Sequence, residues 1–465
     1  MGYQVPKEVT MHDKIFEAAH VRPSARQLAW QKLELMAFFH FTVNTFTGQE
    51  WGDGTEAPRV FNPTQLDPSQ WLCIARNAGI KLAILTAKHH DGFCLWPSRY
   101  TEHSVKRSPY KNGRGDVVRE FVEACRAFDV KVGLYLSPWD RHEPTYGSDA
   151  YNDYFTHQLT ELLTGYGPIA EVWFDGACGE GPNGKRQVYD WERYYRVIRT
   201  LQPDAVIAIN GPDVRWVGNE NGVAREDEWS VVPASFDDAS APDLGSRARI
   251  LEAERLVWYP AECDVSIRPG WFYHAFQDEY VKTPEMLVDL YFESVGRNAA
   301  LLLNLPPDPR GLIHEKDVQH LDGMRRILDA TFAHNLADGA SVTASHAKDG
   351  FPAQATLDGD PDTYWTTDDG QETAVLEYDL GAEKTFDVVL LQEHIAMGQR
   401  IERFVIEAHT SAGWTPAAQG GAVGYKRLLH CADMTADKVR IRIEGSRIAP
   451  TLSHFGLFLK PAEEL

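Results

Sequence analysis

From residue 33 onward, short apolar runs alternate with longer stretches whose apolar residues recur every three to four positions. The short runs read as buried parallel strands, because a strand covered on both faces is apolar throughout. The longer ones read as helices with one wet side. Candidate strands are 35–42 (LMAFFHFT), 82–88 (LAILTAK), 131–137 (KVGLYLS), 169–175 (IAEVWFD) and 205–210 (AVIAIN). Between them, WLCIARNAGI after Pro68, DVVREFVEACRAF from Asp116, YNDYFTHQLTELLTGYG from Tyr151 and DWERYYRVIRTLQP from Asp190 carry helical spacing. The alternation predicts an α/β fold, a (β/α)8-like TIM barrel in which each helix returns the chain to a new parallel strand. After residue 211 the signal weakens, and RWVG near 215, DVSIRPGWFY near 264 and ALLLNLP near 300 supply strands six to eight.

From Gly339 the period changes to two. SVTASHA, TAVLEYDLG, FDVVLLQEHI, RFVIEAHT and KVRIRIEG are short alternating strands with no helical stretch between them, which predicts an all-β sandwich. The helical HEKDVQHLDGMRRILDATFAHN from His314 joins the two parts, giving a barrel domain over 1–335 and a sandwich over 336–465.

Composition narrows the partners. With 46 basic against 67 acidic residues the net charge is −21, a field that repels phosphate backbones and anionic lipid, so neither nucleic acid nor membrane is expected. The six cysteines include no CxxC pair and fit neither a zinc site nor a disulfide framework; most are expected as buried free thiols. The N-terminal MGYQVPKEVTMHDKIFEAAH lacks a basic-then-apolar leader, and no apolar run reaches the ~18 residues of a membrane span. Cytoplasm is the default location, with periplasm or secretion the alternative if a signal peptide has been removed. Oligomeric state is not legible.

Active residues of such barrels sit at the C-terminal ends of strands. Strand one ends in His40 and leads to Glu50 and Trp51; strand two ends in His89, His90 and Trp96; strand three carries Tyr135 and Trp139; strand four ends in Trp173 and Asp175. Aromatics interleaved with His, Asp and Glu suit a sugar, flat faces for C–H surfaces and hydrogen-bonders for hydroxyls. No GxxxxGK[ST] and no strand-to-helix GxGxxG offers a phosphate cradle. Retaining glycoside hydrolysis needs two carboxylates about 5–5.5 Å apart. Asp175, after VWF and before Gly176, is the nucleophile candidate; capping of the following turn is the alternative. For the acid, Asp213, Glu220, Glu226, Asp227 and Glu228 stand together, and spacing does not choose among them. Glu220 lies in a Gly- and Asn-rich loop near Trp216, where burial against an aromatic would favour the protonated form. His89 and His90 form a poor metal pair, since successive strand residues face opposite ways, so no metal or other cofactor is expected; one as a core residue and one as a ligand contact is the bland alternative. In the sandwich, Tyr364 and Trp365 within DGDPDTYWTTDDG are either sugar contacts or structural aromatics.

The stretches FFHFTVNTFTGQEWGDG, AKHHDGFCLW, GLYLSPWD, EVWFDGA, RWVGNE and LLLNLPPDPRG, in this order from about residue 20 to 330, resemble glycoside hydrolase family 29, the α-L-fucosidases. The resemblance implies Asp175 as nucleophile and Glu220 as acid/base of the subgroup preferring α-1,3/1,4-linked fucose on branched, Lewis-type glycans. It implies His40, Glu50, Trp51, His89, His90 and Tyr135 as holders of the fucose hydroxyls, and Trp271 as the aromatic packed on the C5 methyl. Trp173 joins them as a candidate substrate contact. TFTGQ departs from the glycine-bearing version of the family after the first histidine. The DGDPDTYW…LEYDLG pattern resembles discoidin-like, factor 5/8 C-type carbohydrate-binding modules. The implied function is a retaining exo-α-L-fucosidase acting on a fucosylated oligosaccharide by double displacement, without a cofactor. A broader fucosidase cleaving α-1,2 linkages and aryl fucosides, and a non-catalytic fucose-binding protein, are the alternatives.

Overall fold

The structure, a computed structural model, describes residues 11–461, so the first ten positions, within the N-terminal stretch examined for a leader, and the last four lie outside the described residues. Eight strands form the barrel: β1 (Leu35–Phe39), β2 (Leu82–Lys88), β3 (Lys131–Leu136), β4 (Glu171–Phe174), β5 (Val206–Ile209), β6 (Arg215–Trp216), β9 (Ala261–Ser266) and β10 (Ala300–Asn304). They pair in the order β5-β4-β3-β2-β1-β10-β9-β6, every pair parallel. At the seam between β5 and β6 there is no strand ladder; Val214 N–H reaches Ile207 O at 3.4 Å and Asp213 Oδ2 accepts from Ile207 N–H at 2.8 Å.

Helices α4 (Pro68–Asn77), α5 (Val117–Ala127), α6 (Asp149–Gly165), α7 (Trp191–Leu201), α9 (Pro284–Ser294) and α10 (Glu315–Phe332) belong to the barrel, after α1 (Met11–His20), α2 (Ala25–Gln31) and the short α3 (Val43–Thr47). Asp67, Asp116 and Asp190 cap α4, α5 and α7 by accepting a backbone N–H of the first turn, which is why those helices begin where their apolar spacing does. Sequence patterning does not reveal the insertion between β6 and β9, an antiparallel hairpin of β7 (Val231–Pro233) and β8 (Leu256–Trp258) around α8 (Arg247–Glu252). Its strands are only three residues long, too short for a period to register.

The sandwich comprises β11 (Ser341–Ala344), β12 (Trp365–Thr366), β13 (Ala374–Gln392), β14 (Ile401–Thr410), β15 (Gly413–Gly420), β16 (Arg427–Ser446), β17 (Thr451–Leu452) and β18 (His454–Phe458). TAVLEYDLG and FDVVLLQEHI are one strand, β13, whose register against β16 shifts between Asp379 and Lys384. The bulge resets the alternation and makes one strand read as two. Strand β15, with only half-buried and exposed residues, has no apolar face to betray it. Trp365 is fully buried with its indole N–H on His346 O at 3.0 Å, hence structural, while Tyr364 stacks on His394 at 4.4 Å. Val388, Leu390, Leu428 and Phe458 of the sandwich join the barrel's outer core. All six cysteines are free, but only Cys94, Cys125 and Cys263 are buried; Cys178 is exposed.

Candidate active site

Strand alternation decides what reaches the mouth of the barrel. In β1, Leu35, Ala37 and Phe39 pack outward under the helices while Met36 and Phe38 fill the interior, so His40, next in the inward series, opens onto the cavity. The same count carries β4 from Glu171 through Trp173 to Asp175, and β10 through Leu302 to Asn304. Phe38, His40, Trp173 and Asp175 of these series line a pocket of about 710 Å³, within the size range of small-molecule sites. His40, Glu50, Trp51, His89, His90, Tyr135, Trp173, Asp175, Glu220 and Trp271, the ten residues expected to be catalytic or to contact substrate, line it, whereas Trp139 does not.

Asp175 divides its carboxylate between two tasks. Oδ1 accepts from Ala177 N–H at 2.7 Å, so the turn-capping reading is half right, while Oδ2 accepts from the Tyr135 hydroxyl at 2.9 Å and lies 3.7 Å from His90 Nε2. Asn210 Nδ2 holds the Asp175 carbonyl at 2.7 Å. The side chain keeps 24% of its surface open to the pocket.

The opposite-face argument for His89 and His90 fails, because β2 ends at Lys88 after a register shift and the histidines lie beyond it. Both rings face the pocket, 4.1 Å apart. Burial drives the pKa of His40 down to about 4, with Asn304 opposing, and pushes His89 and His90 below the ordinary histidine range, so all three rings are neutral at pH 7. Neutral imidazoles offer a donor and an acceptor, as hydroxyls require. Asn304 Oδ1 fixes His40 Nδ1 at 2.8 Å and Ser137 Oγ fixes His90 Nδ1 at 2.7 Å. Among the described residues no group of three or more His, Cys, Asp or Glu is arranged to hold a metal ion.

Glu50 clasps the loop that carries Trp271. Its Oε2 accepts from Trp271 N–H at 2.7 Å and its Oε1 pairs with His274 Nε2 at 2.6 Å. A Cβ at Gly270 would stand 2.3 Å from Oε1, so the clasp needs glycine there. Trp51, 54% exposed, stands edge-on to His90 and Trp139 at the rim. Trp96 does not reach the mouth: it is buried, with its indole N–H on Glu161.

Of the five acidic candidates, only Glu220 lines the pocket. Asp213 is taken by Arg26, Arg199 and the barrel seam, Glu228 is buried between Arg215 and Arg225, and Asp227 accepts from Gly421 and Ala422 N–H groups of the sandwich. Glu226 is exposed away from the pocket. Glu220 itself is exposed, which corrects the expectation that it is buried against Trp216; its hydrogen-bond partner is the Trp271 indole, at 3.3 Å.

Lys88, the last residue of β2 before the histidine pair, is tied into the core. Fully buried, it donates to Asp140 Oδ2 and Gln158 Oε1, both at 2.9 Å, and lies 5.4–5.8 Å from the rings of Tyr151, Tyr154 and Phe155. Burial alone would raise the Asp140 pKa, yet Lys88 and the backbone N–H groups of His142 and Glu143 hold it below its ordinary value. Lys88→Met strands that carboxylate and is expected to cost about 3–5 kcal/mol in urea unfolding, whereas Lys88→Met with Asp140→Leu recovers most of the loss. Equal losses in the single and double variants would refute this account of the pair.

The sequence reading misses a line of carboxyls inside the barrel. Glu262 and Asp264 are buried inward residues of β9, and Glu171 is their neighbour on β4. The signal was present: ECDVS puts Glu262, Asp264 and Ser266 on one face of a strand whose other face, Cys263 and Val265, packs in the outer core. Trp30 donates to Glu171 at 2.8 Å and Trp173 to Glu262 at 2.7 Å, while Glu171 Oε1 and Glu262 Oε2 are buried with no hydrogen-bond partner. Burial raises both pKa values, and for Glu262 the Glu171 charge adds to it, so the pair keeps a proton that the unfolded chain releases near 4.5. The folded state then binds more protons, and this pair's contribution to stability falls as pH rises above about 4.5. The neutral histidines act with the opposite sign below about 6.5, so the test is differential. Glu262→Gln, which carries its donor permanently, should gain in Tm relative to the unaltered protein between about pH 5 and about pH 8. Parallel melting curves across that range would contradict the retained proton.

Comparison with known proteins agrees with this geometry. Residues 17–331 match the family described as Alpha-L-fucosidase, and residues 341–453 match the F5/8 type C domain. Alpha-L-fucosidase 1 of Arabidopsis thaliana is 43% identical over 449 residues, covering 94% of this chain and 87% of the plant protein. Plasma alpha-L-fucosidase of Homo sapiens is 28% identical over 166 residues, 32% of this chain and 33% of its own. A glycoside hydrolase family 29 fucosidase of Ruminococcus gnavus, solved in complex with fucose, superposes with a TM-score of 0.87 at 35% identity, covering 95% of each chain. The chain therefore belongs to glycoside hydrolase family 29, the α-L-fucosidases, and follows its catalytic barrel with an F5/8 type C domain.

Proposed function

We propose that this α-L-fucosidase is a retaining exo-enzyme that removes α-1,3/1,4-linked L-fucose from branched, Lewis-type glycans. The observation that carries the reading is Asp175, oriented by Tyr135 and open to a pocket that Glu220 also lines. In the first step an Asp175 oxygen attacks the anomeric carbon, the glycosidic C–O bond breaks, and the Glu220 proton passes to the departing oxygen. In the second, Glu220 takes a proton from water, water attacks the anomeric carbon, and the Asp175 ester bond breaks. Two inversions return the α configuration. His40, His89 and His90 hold ring hydroxyls as neutral hydrogen-bonding groups, and Trp271, clasped by Glu50, forms an apolar wall beside Glu220.

The linkage preference is supported by the RWVGNE loop, which resembles the α-1,3/1,4 subgroup, and by the exposed setting of Glu220, which leaves room for a branched leaving group. The test is fucose release from a Lewis-a or Lewis-x trisaccharide, from 2′-fucosyllactose and from an aryl α-fucoside under identical conditions. Release from the branched trisaccharide far above the others is expected. Comparable cleavage of the α-1,2 linkage or the aryl fucoside would reassign the enzyme to the broader group, and binding without release would turn the reading to a non-catalytic fucose binder.

A further inference from the structure

Asp264 has no part in the mechanism above, yet it lines the pocket with Trp216, Glu220 and Trp271. Only 4% of its surface is exposed. Oδ1 accepts from the Trp216 indole N–H at 2.8 Å, whereas Oδ2 makes no hydrogen bond to any other described residue. On a residue so nearly enclosed, an oxygen without a protein partner is left for whatever enters the pocket to satisfy. Here the oxygen belongs to a residue on the wall of a sugar-sized cavity, where a bound hydroxyl supplies the missing partner.

We propose that Asp264 is a further substrate-contacting residue, whose Oδ2 donates a hydrogen bond to a ring hydroxyl of the fucose unit. The assignment rests on the pocket being the fucose subsite. Three observations fix the direction of the bond. Oδ1 is already an acceptor for Trp216. Burial first, then the neighbouring Glu262 carboxyl, and to a smaller extent Glu220, push the Asp264 carboxyl well above the ordinary range, so that it is a neutral acid with a hydroxyl to offer. The pocket's other carboxyl groups, Asp175, Glu50 and Glu220, are accepting groups in their observed contacts, so a donor role is not already filled by one of them.

A neutral acid has a close mimic in asparagine, which presents one acceptor and one donor in nearly the same places. The experiment measures inhibition of fucoside turnover by L-fucose and by its 2-, 3- and 4-deoxy analogues for the unaltered enzyme, Asp264→Asn and Asp264→Leu. Asp264→Asn should stay within about threefold of the unaltered enzyme for L-fucose, and Asp264→Leu should weaken it about tenfold or more. One deoxy sugar should inhibit the unaltered and leucine enzymes equally, since it lacks the hydroxyl in question. Loss of the same size for all four sugars in Asp264→Leu would make the residue merely structural and overturn the proposal. A loss in Asp264→Asn as large as in Asp264→Leu would overturn the donor role. Asp264→Ala, which adds no bulk, replaces the leucine variant if that one does not fold. No inhibition of the unaltered enzyme by L-fucose would overturn the subsite itself, and the contact with it, a result distinct from the others.

Discussion

Asp175→Asn lowers kcat on any fucoside by at least about a thousandfold while L-fucose still binds, because the amide retains the size and the Tyr135 contact but not the nucleophilic charge. Oδ1 is held by Ala177 N–H and Oδ2 by the Tyr135 hydroxyl, so the carboxylate is aimed before substrate arrives and little reorganisation remains. Asparagine can still accept from Ala177 N–H through its one oxygen, while its Nδ2 donates to the Tyr135 oxygen in a reversed bond, which makes the substitution conservative in geometry and radical in chemistry. Asp175→Gly goes further and opens room for an external nucleophile. With azide it should yield β-fucosyl azide, a single inversion at the anomeric carbon. Wild-type rates in Asp175→Asn would remove the residue from the mechanism.

Glu220→Ala should lower kcat by about 10²–10⁴-fold on a Lewis-type trisaccharide, the range expected for loss of a positioned general acid. The loss should be much smaller for an aryl fucoside whose phenolate leaves without a proton. Azide should accelerate this variant by intercepting the fucosyl-enzyme, and the product should be α-fucosyl azide, because two inversions have occurred. The opposite anomers from Asp175→Gly and Glu220→Ala separate nucleophile from acid by a product analysis that loss of folding cannot imitate. Identical anomers from both variants would show that the two roles are wrongly assigned.

Much of this is legible in the sequence. The apolar runs at 82–88 and 131–137 contain β2 and β3 almost to the residue, since strands buried on both faces leave an unbroken apolar signature. The residues that close each run fall in the pocket because an inward series that fills the interior with Met36 and Phe38 continues into the mouth as His40. What stayed hidden has definite causes. The His89–His90 pair was misjudged because strand geometry was extended past Lys88, where the strand ends. The acid could not be chosen among five carboxylates, since Asp213, Glu228 and Asp227 are distinguished only by arginines and backbone groups far away in the chain, such as Arg26 and Gly421. Asp264 was passed over because the strand was placed only at DVSIRPGWFY, without the Ala261–Cys263 half, so the alternation that puts Cys263 and Val265 outward and Asp264 inward did not register. The β13 bulge and the three-residue strands of the β7–β8 hairpin erased the period on which the reading depends.

The most direct test of the central claim is to trap the intermediate. A 2-deoxy-2-fluoro-fucosyl fluoride combines a slowed second step with a good leaving group, so the fucosyl-enzyme should accumulate, and peptide mass spectrometry should find one fluorofucosyl group esterified to Asp175. A label on another carboxylate such as Asp264 or Glu220, or rapid turnover without a label and with β-fucose as the first product, would contradict the account.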